Sequence, residues 1–158
     1  MATASYFSPV MAQLTGNQGG NVESLPAVTV NGGRQRSSVG VITLTGQPSG
    51  AIIGVARLPL GAALLGVTLT ASVSLGSATV AVGDVNNGAV YAGATALTAP
   101  NTPTKVGNAS ALGVPISPGY DCTTGALSAS YEDVVLTVGA AALPVGGTLN
   151  VLIDYAID

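Results

Sequence analysis

Between residues 67 and 75, apolar and hydroxyl side chains alternate without a break. Val67, Leu69, Ala71, Val73 and Leu75 interleave with Thr68, Thr70, Ser72 and Ser74. Successive side chains on a strand point to opposite faces, so this pattern makes one apolar face and one hydrogen-bonding face. A helix would scatter the same residues around its surface, so the segment predicts a half-buried strand. The pattern returns at the other end of the chain, where Leu149, Val151, Ile153, Tyr155 and Ile157 face one way. Thr148, Asn150, Asp154 and Ala156 face the other, with Leu152 the exception. Shorter runs appear at Val134, Leu136 and Val138 and at Val80 and Val82. Segments 39–45 and 51–58 are rich in Val, Ile and Thr, and 27–30 reads as a short strand.

Turn residues punctuate these runs. Gln47-Pro48-Ser49-Gly50, Pro59-Leu60-Gly61 and Pro144-Val145-Gly146-Gly147 separate predicted strands, and Gly76-Ser77 predicts a hairpin between 67–75 and 78–84. The best helical candidate is 87–98, one or two turns at most, started by Asn86-Asn87 and stopped by Pro100 and Pro103. Many short strands with regular turns predict an all-β chain: a single β-sandwich, jelly-roll-like, of about eight strands. Residues 1–38, rich in Gly, Asn, Gln and Ser, read as an extended N-terminal arm or loop-rich lead-in, and 39–158 as the sandwich. A long loop excursion over 99–125 carries Pro100, Pro103, Pro115 and Pro118, and its length suggests a contact role.

Charge narrows the function. The chain of 158 residues has four basic and seven acidic residues, 7% in all, where an average soluble domain has about 25%. A surface so short of charge suits a chain largely covered by partners. Arg34, Arg36, Arg57 and Lys105 are too few to neutralise a phosphate backbone, which argues against nucleic acid. Residues 51–83 are apolar, but Arg57, Pro59 and repeated Ser and Thr interrupt them, so no membrane span is expected. Met1 to Phe7 lack the basic and apolar regions of a secretory signal, so none is expected. Cys122, the single cysteine, excludes an internal disulfide and reads as an unreactive thiol.

The sequence has no histidine, which removes the commonest general base, the commonest metal ligand and every Ser–His or Cys–His pair. The acids are Glu23, Asp84, Asp121, Glu132, Asp133, Asp154 and Asp158. Glu132 and Asp133 are adjacent, so on a strand they point to opposite faces and cannot serve one substrate. A glycosidase pair formed across the fold stays open in principle. Asp84-Val85-Asn86-Asn87-Gly88 begins like a calcium loop but lacks the closing Glu, Thr95 standing there, and reads as an Asx turn. Asn108-Ala109-Ser110 fits a glycosylation acceptor and carries little weight without a signal segment. No enzyme activity and no cofactor is expected. Arg34 and Arg36 could anchor an acidic partner, and Tyr6 and Phe7, near the N-terminus, could anchor an interface.

The stretch Val55-Ala56-Arg57-Leu58-Pro59-Leu60-Gly61-Ala62-Ala63-Leu64-Leu65-Gly66-Val67-Thr68-Leu69 resembles a recurrent pattern of small bacteriophage virion proteins, an R-L-P-x-G-A turn leading into a strand. Gly76–Gly83, Tyr91-Ala92-Gly93-Ala94, Tyr131–Val138 and Gly147–Val151 continue the resemblance, which covers about residues 39–157. It implies a non-enzymatic virion structural protein of the capsid decoration, or cement, type, with no catalytic residue carried over. Such a protein would sit on the capsid surface of the virion, after synthesis in the host bacterial cytoplasm. Its expected partners are the major capsid protein and itself, as a homotrimer reinforcing capsid-subunit joints, with Tyr6, Phe7, Arg34 and Arg36 as candidate interface residues. The alternatives are a tail, neck or head-fibre component, or a host-glycan-binding module. An outer-membrane barrel would want aromatic girdles that five tyrosines and one phenylalanine do not supply.

Overall fold

A computed structural model describes residues 34–157. Among these residues there are ten strands and no helix. They are β1 (Arg34–Thr45), β2 (Ile52–Pro59), β3 (Ala63–Ala71), β4 (Thr79–Gly83), β5 (Ala92–Ala96), β6 (Thr104–Val106), β7 (Gly119–Tyr120), β8 (Leu127–Ser128), β9 (Tyr131–Gly139) and β10 (Val145–Ile157). Eight of them form two four-stranded sheets, β1-β10-β3-β6 and β2-β9-β4-β5, and β7 pairs with β8. Every pairing is antiparallel.

The pairing has a simple plan. β1 lies beside β10, β2 beside β9, β3 beside β6 and β4 beside β5. The chain is thus doubled back on itself, and the doubled ribbon is rolled so that successive pairs fall in alternate sheets. This is the jelly roll, an eight-stranded double-sheet architecture. It answers the alternation in the sequence: each strand turns one stripe to the space between the sheets. Ile42, Leu44, Leu69, Leu149, Val151 and Ile153 come from the first sheet, and Leu58, Val80, Val82, Val134, Leu136 and Val138 from the second. Each such side chain gains roughly 1.5–3 kcal/mol from leaving water.

Two irregularities shape the sandwich. Opposite β10, the register of β3 slips between Gly66 and Leu64, so Leu65 is an unpaired extra residue. The slip lets Leu64 and Val67, three apart, both reach the core. On β2 the register slips at Val55. There the second sheet closes on the first: a Cβ on Gly40 of β1 would lie 2.7 Å from the Val55 carbonyl oxygen. Only glycine permits that approach.

Several expectations change. Residues 34–38, assigned to the lead-in, belong to β1, because their backbone pairs with 153–157 of β10. Segment 27–30, and Tyr6 and Phe7, lie outside the described residues. The helix expected over 87–98 is instead a turn followed by β5, which pairs with β4 from Thr79 to Val82. Gly93 and Thr95 are poor helix formers, which weakens the helical alternative. The hairpin expected at Gly76-Ser77 is a crossover between sheets, since β3 and β4 sit in different ones. Finally, the 99–125 excursion contains β6, which forms the edge of the first sheet against β3.

Candidate functional site

Two regions stand out, the outer face of the first sheet and the place where residues 119–130 dock on the second. On β1, the residues that alternate with the core stripe face out. Val39 and Val41 are 61% and 66% exposed and lie opposite Leu152 and Asn150 of β10. Leu152 and Asn150 in turn face Thr68 and Thr70 of β3. The acid on this stretch of β10, Asp154, accepts a hydrogen bond of 2.5 Å from the Ser37 hydroxyl. Around Val39 and Val41 the face carries aliphatic, hydroxyl and amide groups, and toward β6 it opens into a cavity of about 470 Å³ bordered by Gln35, Leu65, Thr68, Lys105 and Asp154. Arg34 and Arg36 are exposed at the start of β1, opposite Ile157 and Tyr155. They therefore stand at the end of this sheet and not on a free arm.

The docking region is built on Glu132 and Asp133. β4 pairs with β9 only from Val135 to Gly139, which leaves Tyr131–Val134 without a strand on that side. Residues 119–122 fill the gap. Tyr120 N–H donates to Glu132 Oε2 at 2.5 Å, and Cys122 N–H donates to Asp133 Oδ2 at 3.1 Å. Because adjacent strand residues point to opposite faces, the two carboxylates grip one short segment from two sides. Gly119 makes this possible, since a Cβ there would collide with the Tyr131 carbonyl.

The two grips are electrically unlike. Asp133 lies directly across from Arg57 and takes its fork in two bonds, Nε to Oδ1 at 2.6 Å and Nη2 to Oδ2 at 2.9 Å. The same guanidinium lies 3.7 Å above the Tyr131 ring, whose hydroxyl donates to Asp121 Oδ2 at 2.7 Å. Asp121 Oδ1 also accepts from the Thr123 backbone and hydroxyl. The bond to Arg57 holds the Asp133 carboxyl below its usual range, and the bonds from Thr123 and Tyr131 do the same for Asp121. Burial, with the neighbouring Asp133, pushes the Cys122 thiol up, so it is a poor nucleophile.

Glu132 has no such cation. It is 0% exposed, its strand partner across β2 is Leu58, and its second oxygen accepts from the Tyr91 hydroxyl at 3.3 Å. Burial, with Asp84 and Asp133 nearby, pushes it up to about 7 against the pull of the Tyr120 and Tyr91 bonds. Tyr91 is raised in turn by its own burial and by the Glu132 charge. Beside them a cavity of about 340 Å³ opens, bordered by Asp84, Tyr91, Ile116, Pro118 and Tyr120.

Other residues singled out in the sequence have structural work. Asp84 Oδ1 accepts from the Asn86 and Asn87 N–H groups at 2.7 and 2.5 Å, an Asx turn. The Asn108 side-chain amide donates to the Ala89 and Val90 carbonyls at 2.7 and 2.9 Å and ties 107–111 to the turn before β5. Among the described residues no three His, Cys, Asp or Glu side chains are placed to hold a metal ion. The Glu132–Asp133 grip was hidden in the sequence because its donors are backbone groups of residues 120 and 122. An adjacent pair of acids inside an apolar strand was its only trace.

Fold and site together define an all-β jelly-roll domain whose polar groups are engaged in holding its own loop. The same fold occurs in phage capsid structures. A chain of the cyanophage Pam1 capsid asymmetric unit is 24% identical, with a TM-score of 0.57 over 80% of this chain and 87% of that one. A chain of the capsid of Ralstonia phage GP4 is 18% identical, with a TM-score of 0.60 over 80% and 86%. A chain of the acidic stable capsid structure of Helicobacter pylori bacteriophage KHP30 is 13% identical, with a TM-score of 0.52 over 78% and 87%. No protein-family description and no curated protein matches the chain.

Proposed function

We propose that the protein is a non-enzymatic structural component of a bacteriophage virion, and within that class a capsid decoration or cement protein. The observation that carries this reading is the jelly roll it shares with chains from three phage capsid structures, aligned over 86–87% of each. The physical character of the surface supports it. A face as aliphatic as the one around Val39 and Val41 is stable in water when something covers it. The partners are the major capsid protein at subunit joints and further copies of this chain, as a homotrimer on the capsid surface. Anything that binds only the assembled shell adds its binding free energy to the shell's stability.

Arg34 and Arg36 stand at the start of β1 and follow residues 1–33 in sequence. Those residues carry Tyr6 and Phe7, and together the four are the proposed contact set. Deleting residues 1–30 should leave the thermal midpoint of the domain unchanged and lower its occupancy on shells at least tenfold. Undiminished occupancy would remove the arm from the mechanism. Copy number decides the place in the particle. Quantitative mass spectrometry of purified virions, scaled to the major capsid protein, should find hundreds of copies. A handful would indicate a tail, neck or fibre position, and absence would sink the structural reading.

A further inference from the structure

The buried carboxyl that lacks a cation has a use that shell binding does not explain. Glu132 joins three separate pieces of chain. Its own strand β9 carries it, Tyr120 of the docked segment donates to one oxygen, and Tyr91 from the turn before β5 donates to the other. The titratable and charged groups around it are Asp84 on the turn after β4, Tyr91, Tyr120, and Asp133 on its own strand. Arg57 and Asp121 lie on the opposite face of β9 with Asp133, and Arg57 is committed there by two bonds. Toward Glu132 the strand across β2 presents only Leu58.

We infer that Glu132 is a pH-operated latch, which holds residues 117–124 against the second sheet when protonated and loosens them when ionised. The neutral acid keeps both contacts. Its Oε2 still accepts from Tyr120, and a proton on Oε1 is donated to the Tyr91 hydroxyl oxygen, so that bond reverses direction. Ionisation puts a full negative charge on a carboxyl that is 0% exposed, near Asp84 and Asp133 and with no Lys or Arg side chain of the described residues bonded to it, which is costly. Opening the segment brings the carboxyl to water, where it titrates near its ordinary value of about 4.5, in place of about 7 in the closed state. The change runs between about pH 4.5 and 7, the ordinary and the closed-state values of the carboxyl. Release would free the strand pair β7–β8, on which the exposed Leu127 lies.

Hydrogen exchange on the full chain tests the latch. After correction for intrinsic rates, the amides of residues 117–124 should exchange on the order of 50-fold faster at pH 8 than at pH 5. Amides in the centre of β3 should hold their protection. In Glu132→Gln, which keeps the acceptor but stays neutral, the ratio should fall to near one. Should that variant not fold, Asp84→Asn removes a neighbouring charge and must shrink the ratio. Protection that is flat with pH in the unaltered protein overturns the inference. So does a ratio unmoved by either substitution.

Discussion

Single residues in this domain differ by what lies around them more than by type. Val151 sits at 0% exposure between the sheets, and Val151→Asp buries a charge that no partner can meet. The expected cost is about 4 kcal/mol or more, enough to leave the domain unfolded at 37 °C by circular dichroism. Arg57→Ala takes the cation from a carboxylate whose side chain is only 6% exposed. It should lower the urea midpoint and raise the pH at which acid unfolding begins. Arg57→Lys should recover little of the loss, because an ammonium cannot reproduce the fork or the stacking on Tyr131. The opposed faces of Glu132 and Asp133 were legible in the sequence, since they follow from strand geometry alone. Their partners were not. Nothing in the residues themselves says that N–H groups of residues 120 and 122 arrive at both faces.

At the scale of elements, the strands were largely legible and their neighbours were not. The stripes at 67–71, 134–138 and 149–153 mark β3, β9 and β10 because each must turn one face to a common core. Pairing is a property of distant segments. The turn at Gly76-Ser77 is compatible with a hairpin and with a crossover, and what decides it is that β10 and β6 take both edges of β3 while β4 pairs with β9 and β5. β5 was missed because five residues of Ala, Gly and Thr carry no apolar stripe. Docking of residues 119–122 on β9 depends on close backbone approach at Gly119. Gly119→Ala should cost about 2 kcal/mol, in the range of overpacked sites. Its effect should appear first as faster exchange of the segment, with β3 still protected. Equal loss of protection in both would mean that the segment and sandwich open as one unit.

For the whole molecule, the two kinds of carboxyl act in opposite directions with pH. Glu132 has a native value near 7 and an ordinary one near 4.5, so the folded state binds more protons between them. Its contribution is fully present below about 4.5 and is lost as pH rises through about 7, on the order of 3 kcal/mol in all. Asp133 and Asp121 are lowered, so their contribution is present above their ordinary 3.8 and is lost as pH falls below it. The thermal midpoint should therefore peak between about pH 4 and 5 and decline on both sides. Glu132→Gln should flatten the alkaline side alone. A midpoint that rises steadily from pH 5 to 8 would contradict this balance.

The register of β1 on β10 also has a mechanical side. Arg34 pairs with Ile157 and Thr45 with Val145, so residues 34 and 157 are neighbours at one end of the same two strands. Tension between these two points meets the backbone bonds one after another and peels β1 away like a zip. Tension between Arg34 and Val145 would load the whole ladder at once in shear. A tether leaving through residue 34 is thus strong or weak according to where the domain is held, and a grip near Ile157 makes the first strand its fuse.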